Sequence, residues 1–385
     1  MIAIATVGMF ASMELALGLL LAFTPYLMRS NECFAVTVPS SAQKDPRLIA
    51  LKKRYATTML ALTAALTLVA GGAGALIIAG TEQPGGVAET LGSALECAAI
   101  IALAAASFAL MLRNRRKVRD IKREEGWEAR RREAAAAVAE GDLPGALPLA
   151  WSLLHVPVVL GTLALGLSLY PVMPDMLPLH ADFAGNVDSW APKTLASAVG
   201  FPVAFELFMA ACFAFCHWMI LRSKRPTDPA APATSALAYG LFARAQSVFL
   251  LVTGVLVSGG VGILFLLSST GFITLGQAAA VIIVLCFLIT VGSVAMSLVY
   301  GQAGSRVFKR MQEDDVLLAD EDDRWKLGVF YFDPDDASVF LPERFGIGWT
   351  MNFARPAAWA IVLGCLALTT AFIVAVELLF QGSQS

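Results

Sequence analysis

Charge is scarce in this chain: Asp, Glu, Lys and Arg make up 15% of its 385 residues, against about 25% in an ordinary soluble domain. Histidine occurs only three times, at His155, His180 and His217, and no H-E-x-x-H brings two of them together. A zinc enzyme therefore has no ligand set here. Six Cys in a chain of this length make no disulfide framework. Five of them (Cys97, Cys212, Cys216, Cys286 and Cys365) sit in apolar runs, where thiols behave as small hydrophobes. There is no Walker A loop, no G-x-S-x-G elbow and no G-x-G-x-x-G after a strand. No nucleophile–base pair stands out either. The expectation is a protein with no catalytic residue, no cofactor and no metal. A net charge of -2 and a pI near 6.0 give no basic field for direct nucleic-acid binding.

What is abundant is hydrophobic surface. Apolar residues reach 57% and the mean hydropathy is +0.69. A helix needs roughly 20 apolar residues to cross the hydrocarbon of a bilayer. Eight runs qualify: Ile2–Leu27, Thr57–Ala79, Leu91–Leu112, Trp151–Leu169, Leu195–Leu221, Ser247–Leu267, Gln277–Val299 and Ala357–Phe380. The first lacks a basic leader and carries Glu14 in mid-run, so it reads as a retained span rather than a signal peptide. Of the 28 Lys and Arg, 27 fall in the loops after the first, third, fifth and seventh runs; the exception is Lys193. The positive-inside rule places those loops in the cytoplasm and both termini outside. The fold class expected is an all-α polytopic membrane protein with eight transmembrane helices in a bacterial cytoplasmic membrane. A small cytoplasmic module with a β-hairpin accompanies them.

The organisation predicted is three spans with basic loops over 1–149, a helix pair with a rich outer loop over 150–222, and a transmembrane hairpin over 223–323. A cytoplasmic motif over 324–353 and the last span over 354–385 complete it. Phe34–Val38 reads as a β-like stretch closed by Pro39, with a helix starting at Asp45. Arg113–Glu140 reads as a charged helix continuing the third span, and Pro226–Ala236 as a linker. An acidic cluster from Glu313 to Asp323 leads into two β-prone runs, Leu327–Phe332 and Ser338–Leu341. The turn Asp333-Pro-Asp-Asp336 between them predicts a hairpin. The three cytoplasmic segments are expected to dock on one another, because stretches this short cannot bury themselves alone. Gly71, Gly72 and Gly74 recur 188 residues later as Gly259, Gly260 and Gly262, which raises a four-plus-four duplication.

Two groups of residues suggest chemistry. Glu14 and Glu206 lie near the middle of their spans with no mid-span Lys or Arg to pair with them. Such carboxyls are protonated, wet, or coupling residues of a transporter. Glu96 and Glu377 lie nearer the span ends and read as structural. The outer loop Tyr170–Lys193 is the denser signal: three Pro stiffen its entry, and His180, Asp182, Asp188, Trp190 and Lys193 follow within fourteen residues. Trp190 offers a flat face, Lys193 a cation for a carboxylate, and His180 beside Asp182 or Asp188 a charge that changes near neutral pH. These five form the candidate ligand-binding site.

The pattern P-D-x-x-P-x-H followed by G-x-x-D-x-W-x-x-K, within Ser152–Leu221, resembles the bacterial membrane family called domain of unknown function 1648, found in SdpI-type immunity and signalling proteins. Ala181 stands where that family commonly has an aromatic, and Asp182 where it has Asn. Trp325–Asn352 resembles the companion domain of unknown function 5808, through Trp325, Gly328, Tyr331, Pro334, Asp336, Pro342, Arg344, Gly346, Gly348, Trp349 and Asn352. The resemblance implies protection against an extracellular peptide and capture of a transcriptional regulator at the membrane. The function expected is thus a sensor or immunity-type protein. It would bind a peptide or small ligand outside and signal inside, with membrane lipids and a cytoplasmic transcriptional regulator as further partners. The alternative is a proton-coupled secondary transporter using Glu14 and Glu206.

Overall fold

The computed structural model describes residues 2–29, 31–80, 86–128, 143–181, 187–226, 228, 231–311, 320–346 and 348–381. Among them, eight helices are long and apolar enough to cross a membrane. Helix α1 (Ile2–Leu27) leads through the two-stranded β1 (Glu32–Cys33) and β2 (Val36–Thr37) into α2 (Pro46–Gly80). Asp45 accepts the Arg47 amide at 2.7 Å and Pro46 opens the helix, which is the start that the sequence predicts. Helix α3 (Val87–Glu124) packs on α2 and α1, completing a three-helix group. It ends earlier than the charge pattern predicts. Gly126 has φ +62, and Trp127 and Gly126 donate backward to Lys122 and Arg123, closing the last turn before Glu128. The rest of the predicted Arg113–Glu140 helix, from residue 129, lies outside the described residues.

The second group begins with a 3-10 turn, Leu149–Leu154, and α4 (His155–Leu169). The connection to the next span is a β-hairpin of β3 (Met176–Ala181) and β4 (Val187–Pro192). A π-helical turn, Ala196–Gly200, then feeds α5 (Phe201–Arg222). Helix α6 (Pro232–Ser269) starts inside the stretch read as a linker, because Pro232 suits a first helical position and Ala-rich sequence follows it. It packs against α4 and α5 and turns into α7 (Leu275–Tyr300), which opens with a capping box between Thr274 and Gln277. The short α8 (Ser305–Met311) follows.

The segment after α8 corrects the predicted hairpin. Strand β5 (Trp325–Lys326) pairs with β6 (Phe330–Tyr331), and β7 (Phe340–Pro342) pairs with β8 (Trp349–Met351), all antiparallel. The first turn is made by Leu327 (φ 53) and Gly328 (φ 80), not by Asp333–Asp336. The Asp-rich turn binds its own backbone instead: Asp333 accepts from the Asp335 amide and Asp336 from the Ser338 amide. Helix α9 (Pro356–Gln381) is the last span and packs on α5.

The glycine repeat does not place equivalent contacts. Gly74 approaches Val7 and Phe10 of α1, whereas Gly262 approaches Glu206 of α5. The residue 188 positions before Glu206 is Gly18, which instead faces Thr63. The two triplets are close-approach sites that meet their neighbouring helices at different positions.

Candidate functional site

The β3–β4 hairpin caps the end of the bundle opposite the basic loops. Its register pairs Leu177 with Ala191 and Pro178 with Trp190. Leu177 and Ala191 turn inward and are buried, Leu177 in a cluster with Met173, Val199 and Leu266. A bulge between Pro178 and His180 breaks the alternation and re-aims the imidazole. His180 Nδ1 donates to Asp188 Oδ1 at 2.6 Å, with both side chains open to solvent, and Trp190 is 48% exposed. Three of the five candidates thus share one outward-facing hairpin. Lys193 is held differently. Its ammonium donates to the Met173 carbonyl at 2.7 Å and sits 5.5 Å from the Tyr170 ring, so it ties the base of the hairpin to the end of α4. Ser197 completes that base by donating to the Pro192 carbonyl at 2.7 Å. Asp182, with Gly185, lies outside the described residues.

At the opposite end the three segments between spans dock on one another. They do so through side chains, without pairing their strands into one sheet. Phe34 and Ala35, both fully buried, make the β1–β2 turn at φ 47 and 58. Left-handed backbone is costly for a bulky residue, so the surroundings must hold it. Phe34 packs edge-on against Tyr55 at 5.5 Å and stacks on Phe345 at 6.5 Å, while Arg115 donates to the Ala35 carbonyl. Arg344, almost fully buried, lies 2.5 Å from Asp322 and 3.4 Å from Glu32. Asp322 also accepts from the Thr37 amide and hydroxyl and pairs with Lys122 at 2.8 Å. Burial alone would raise the Asp322 carboxyl, but Arg344 and Lys122 outweigh it and hold it at about 2. The module also joins both helix groups: Arg29 donates to the Pro342 carbonyl and Arg306 of α8 to the Tyr26 carbonyl of α1.

Helix α5 reaches this module directly. Just past its end, Lys224 lies 2.8 Å from Asp336 and 3.3 Å from Glu321, and its amide donates to the Phe340 carbonyl at 2.8 Å. Burial works against the Asp336 carboxyl, and the Lys224 hydrogen bond beside it still brings it to about 2. Among the described residues, no cation pairs with Glu343. Burial pushes its carboxyl up to about 7, beside the β7–β8 turn that Gln302 pins through the Gly348 carbonyl.

Inside the bundle, Glu14 and Glu206 are both buried but belong to different groups of helices. The charged neighbour of Glu14 is Glu96 of α3, and none of the four oxygens of that pair has a hydrogen-bond partner. Glu206 accepts from Thr162 of α4 at 2.7 Å, and its other oxygen is unpartnered. Sequence reasoning set Glu96 aside. Nothing in the spacing of the two spans marks Glu96 as the neighbour of Glu14. Among the described residues, no three His, Cys, Asp or Glu side chains converge as metal ligands would.

Residues 158–205 match the family described as Domain of unknown function (DUF1648), and residues 334–359 match the Family of unknown function (DUF5808). The first match runs from α4 through the hairpin into α5, inside the stretch the motifs suggested. The second begins at residue 334 rather than 325 and runs to Trp359 in the first turn of α9. No curated protein and no solved structure matches the chain.

Proposed function

We propose that this multi-pass membrane protein is a receptor of a bacterial cytoplasmic membrane, of sensor or immunity type. It binds a peptide or other small ligand on the β3–β4 hairpin and reports through the module at its basic end. One observation carries this reading: α5 joins the two, anchored to the hairpin through Ser197 in the π-helical turn that feeds it and clamped to the module through Lys224 just past its end. A shift of the hairpin has a rigid element along which to travel. The distribution of Lys and Arg supports a cytoplasmic module and an outer hairpin. The resemblance to SdpI-type proteins suggests a transcriptional regulator as the module's partner, and the basic loops suit anionic lipid headgroups.

Hydrogen exchange of the protein in nanodiscs tests this, with and without a low-molecular-mass extract of the medium in which the source cells grow. The expected result is protection of residues 176–192 together with a change over residues 325–352. Both should be lost in Trp190→Ala while the folded yield stays unchanged. Protection of the hairpin with no change in the module would remove the signalling role. The second reading, a proton-coupled transporter, draws on the unpartnered oxygens of Glu14 and Glu206. Solute flux into liposomes that disappears in Glu206→Gln would favour it.

A further inference from the structure

A line of polar atoms in the second helix group is unused by the receptor reading. Glu206 Oε2, Ser258 Oγ and His155 Nε2 are each buried without a hydrogen-bond partner, and their residues are 0%, 1% and 4% exposed. Leaving such an atom unsatisfied is costly, and these three lie along one stretch of α6.

Their heights follow from α6. A Cβ added at Gly262 would collide with Glu206 Oε1, and one at Gly254 would lie 3.0 Å from His155 Nε2. Ser258 stands midway, four residues from each. Positions four apart on a helix are neighbours about 5–6 Å from one another. That gap is too long for a direct hydrogen bond and suits one bridging water. The two glycines let the Glu206 carboxyl and the His155 and Phe213 rings come directly against the α6 backbone, where a side chain would collide with them.

The protonation pattern of the line is set by its fixed partners. His155 Nδ1 lies 3.0 Å from the Ser152 carbonyl, which can only accept. Nδ1 therefore carries the hydrogen in the neutral ring, and Nε2 offers a lone pair to the file. Thr162 donates to Glu206 Oε1, leaving Oε2 as the terminus. Access differs at the two ends. An open, largely apolar groove of about 700 Å³ on the outer face between α4 and α5 runs from Leu149 to Leu160, with Ser152 and His155 in its wall. One turn beyond Glu206 toward the hairpin, Val199 and Leu266 close on Gly166, and buried Leu177 backs them.

We infer that His155, Ser258 and Glu206 form a proton half-channel that loads Glu206 from the basic end of the bundle. A proton from water at that end binds His155 Nε2 and gives an imidazolium. The imidazolium releases it through water to the Ser258 hydroxyl, which accepts one proton as it passes on its own. Glu206 Oε2 takes the last transfer, its carboxylate becomes a carboxylic acid, and His155 returns to neutral. A metal cation does not suit the line, which offers one carboxylate, one hydroxyl and one imidazole, where hard cations need six or more oxygens. The groups facing the file are Thr162 from α4, Gly262 and Gly254 from α6, and the Phe213 ring of α5 stacked on His155. On the side toward α9, Cys365 neighbours Cys212 and Cys216 of α5. Among the described residues, no charged side chain acts on Glu206.

Infrared difference spectroscopy of the full chain in nanodiscs after a pH jump reads this directly, through the carbonyl band of a protonated carboxyl group. Glu206→Gln should remove one band that survives in Glu14→Gln and Glu96→Gln. Ser258→Ala should slow the appearance of that band about tenfold or more, equivalent to about 1.4 kcal/mol of barrier, without moving its midpoint. His155→Phe should do the same. Should His155→Phe fail to fold, Ser258→Ala, which removes a single oxygen, still decides. A Glu206 band that forms as fast in Ser258→Ala as in the parent protein would overturn the path. In oriented liposomes acidified on one side at a time, loading should occur only from the basic end; equal loading from both sides would overturn its direction.

Discussion

At the basic end Arg344 is buried between Glu32 and Asp322, carboxylates from two of the docked segments. At the hairpin end His180 and Asp188 also meet at 2.6 Å, but in water. The chemistry is similar and the energetics are not. An exposed pair contributes about 0–1 kcal/mol, whereas breaking a buried one costs about 3–5 kcal/mol because the abandoned charge cannot be solvated. The module therefore uses its ions for architecture. The hairpin uses Lys193 and Leu177 for architecture and leaves His180, Asp188 and Trp190 available to a ligand.

Several substitutions would break or sharpen this contrast. The largest effect belongs to Arg344→Ala, expected to cost about 3 kcal/mol by leaving Glu32 with Arg29 alone and Asp322 with Lys122 alone, read as early loss of monodisperse protein on heating. A near-neutral result would show that the network is not truly dry. Next is Glu343, whose burial raises its carboxyl from 4.5 to about 7. The folded state keeps that proton longer than the unfolded chain, so stability is greatest below about 4.5 and falls as pH rises toward about 7. Glu343→Gln should abolish that decline and stabilise the protein at pH 8 by up to about 3 kcal/mol. Asp322 and Asp336 act in the opposite sense, since both sit at about 2 and their contribution is lost as pH falls from about 4. Lys193→Met should cost about 1–2 kcal/mol by releasing the Met173 carbonyl and loosening the hairpin base. Trp190→Ala should change stability by less than about 0.5 kcal/mol. If it destabilises as much as Lys193→Met, the Trp190 face is a clasp and not a binding surface.

The spans were legible because lipid demands an unbroken apolar run, and all eight lie where the hydropathy places them. The hairpin partners after α8 were not. A turn at Leu327-Gly328 and one at Phe34-Ala35 lack the Asn-Gly signal, since tertiary packing rather than local preference holds them. The site was half legible. The spacing of His180 and Asp188 put two polar groups in one loop, but nothing in the sequence marks Lys193 as a tether rather than a free cation. Glu206 was visible as a charge in mid-span. Its alignment with Ser258 and His155 depends on how three helices face one another, which no single run encodes.

The module also constrains when the chain can finish folding. Thr37 finds its partner Asp322 across 285 residues, and Arg29 reaches Pro342 across 313. At about 5–20 residues per second, ribosomes take on the order of 15–60 s to supply that interval. Until then Phe34 and Val36 have no Phe345 side to pack against, and the first three spans must persist in the bilayer as a partial assembly. Closure of the module is therefore a late event in biosynthesis. A chain that stops short of residue 344 lacks the Arg that bridges Glu32 and Asp322 and is left with an open, charged seam for quality control to find.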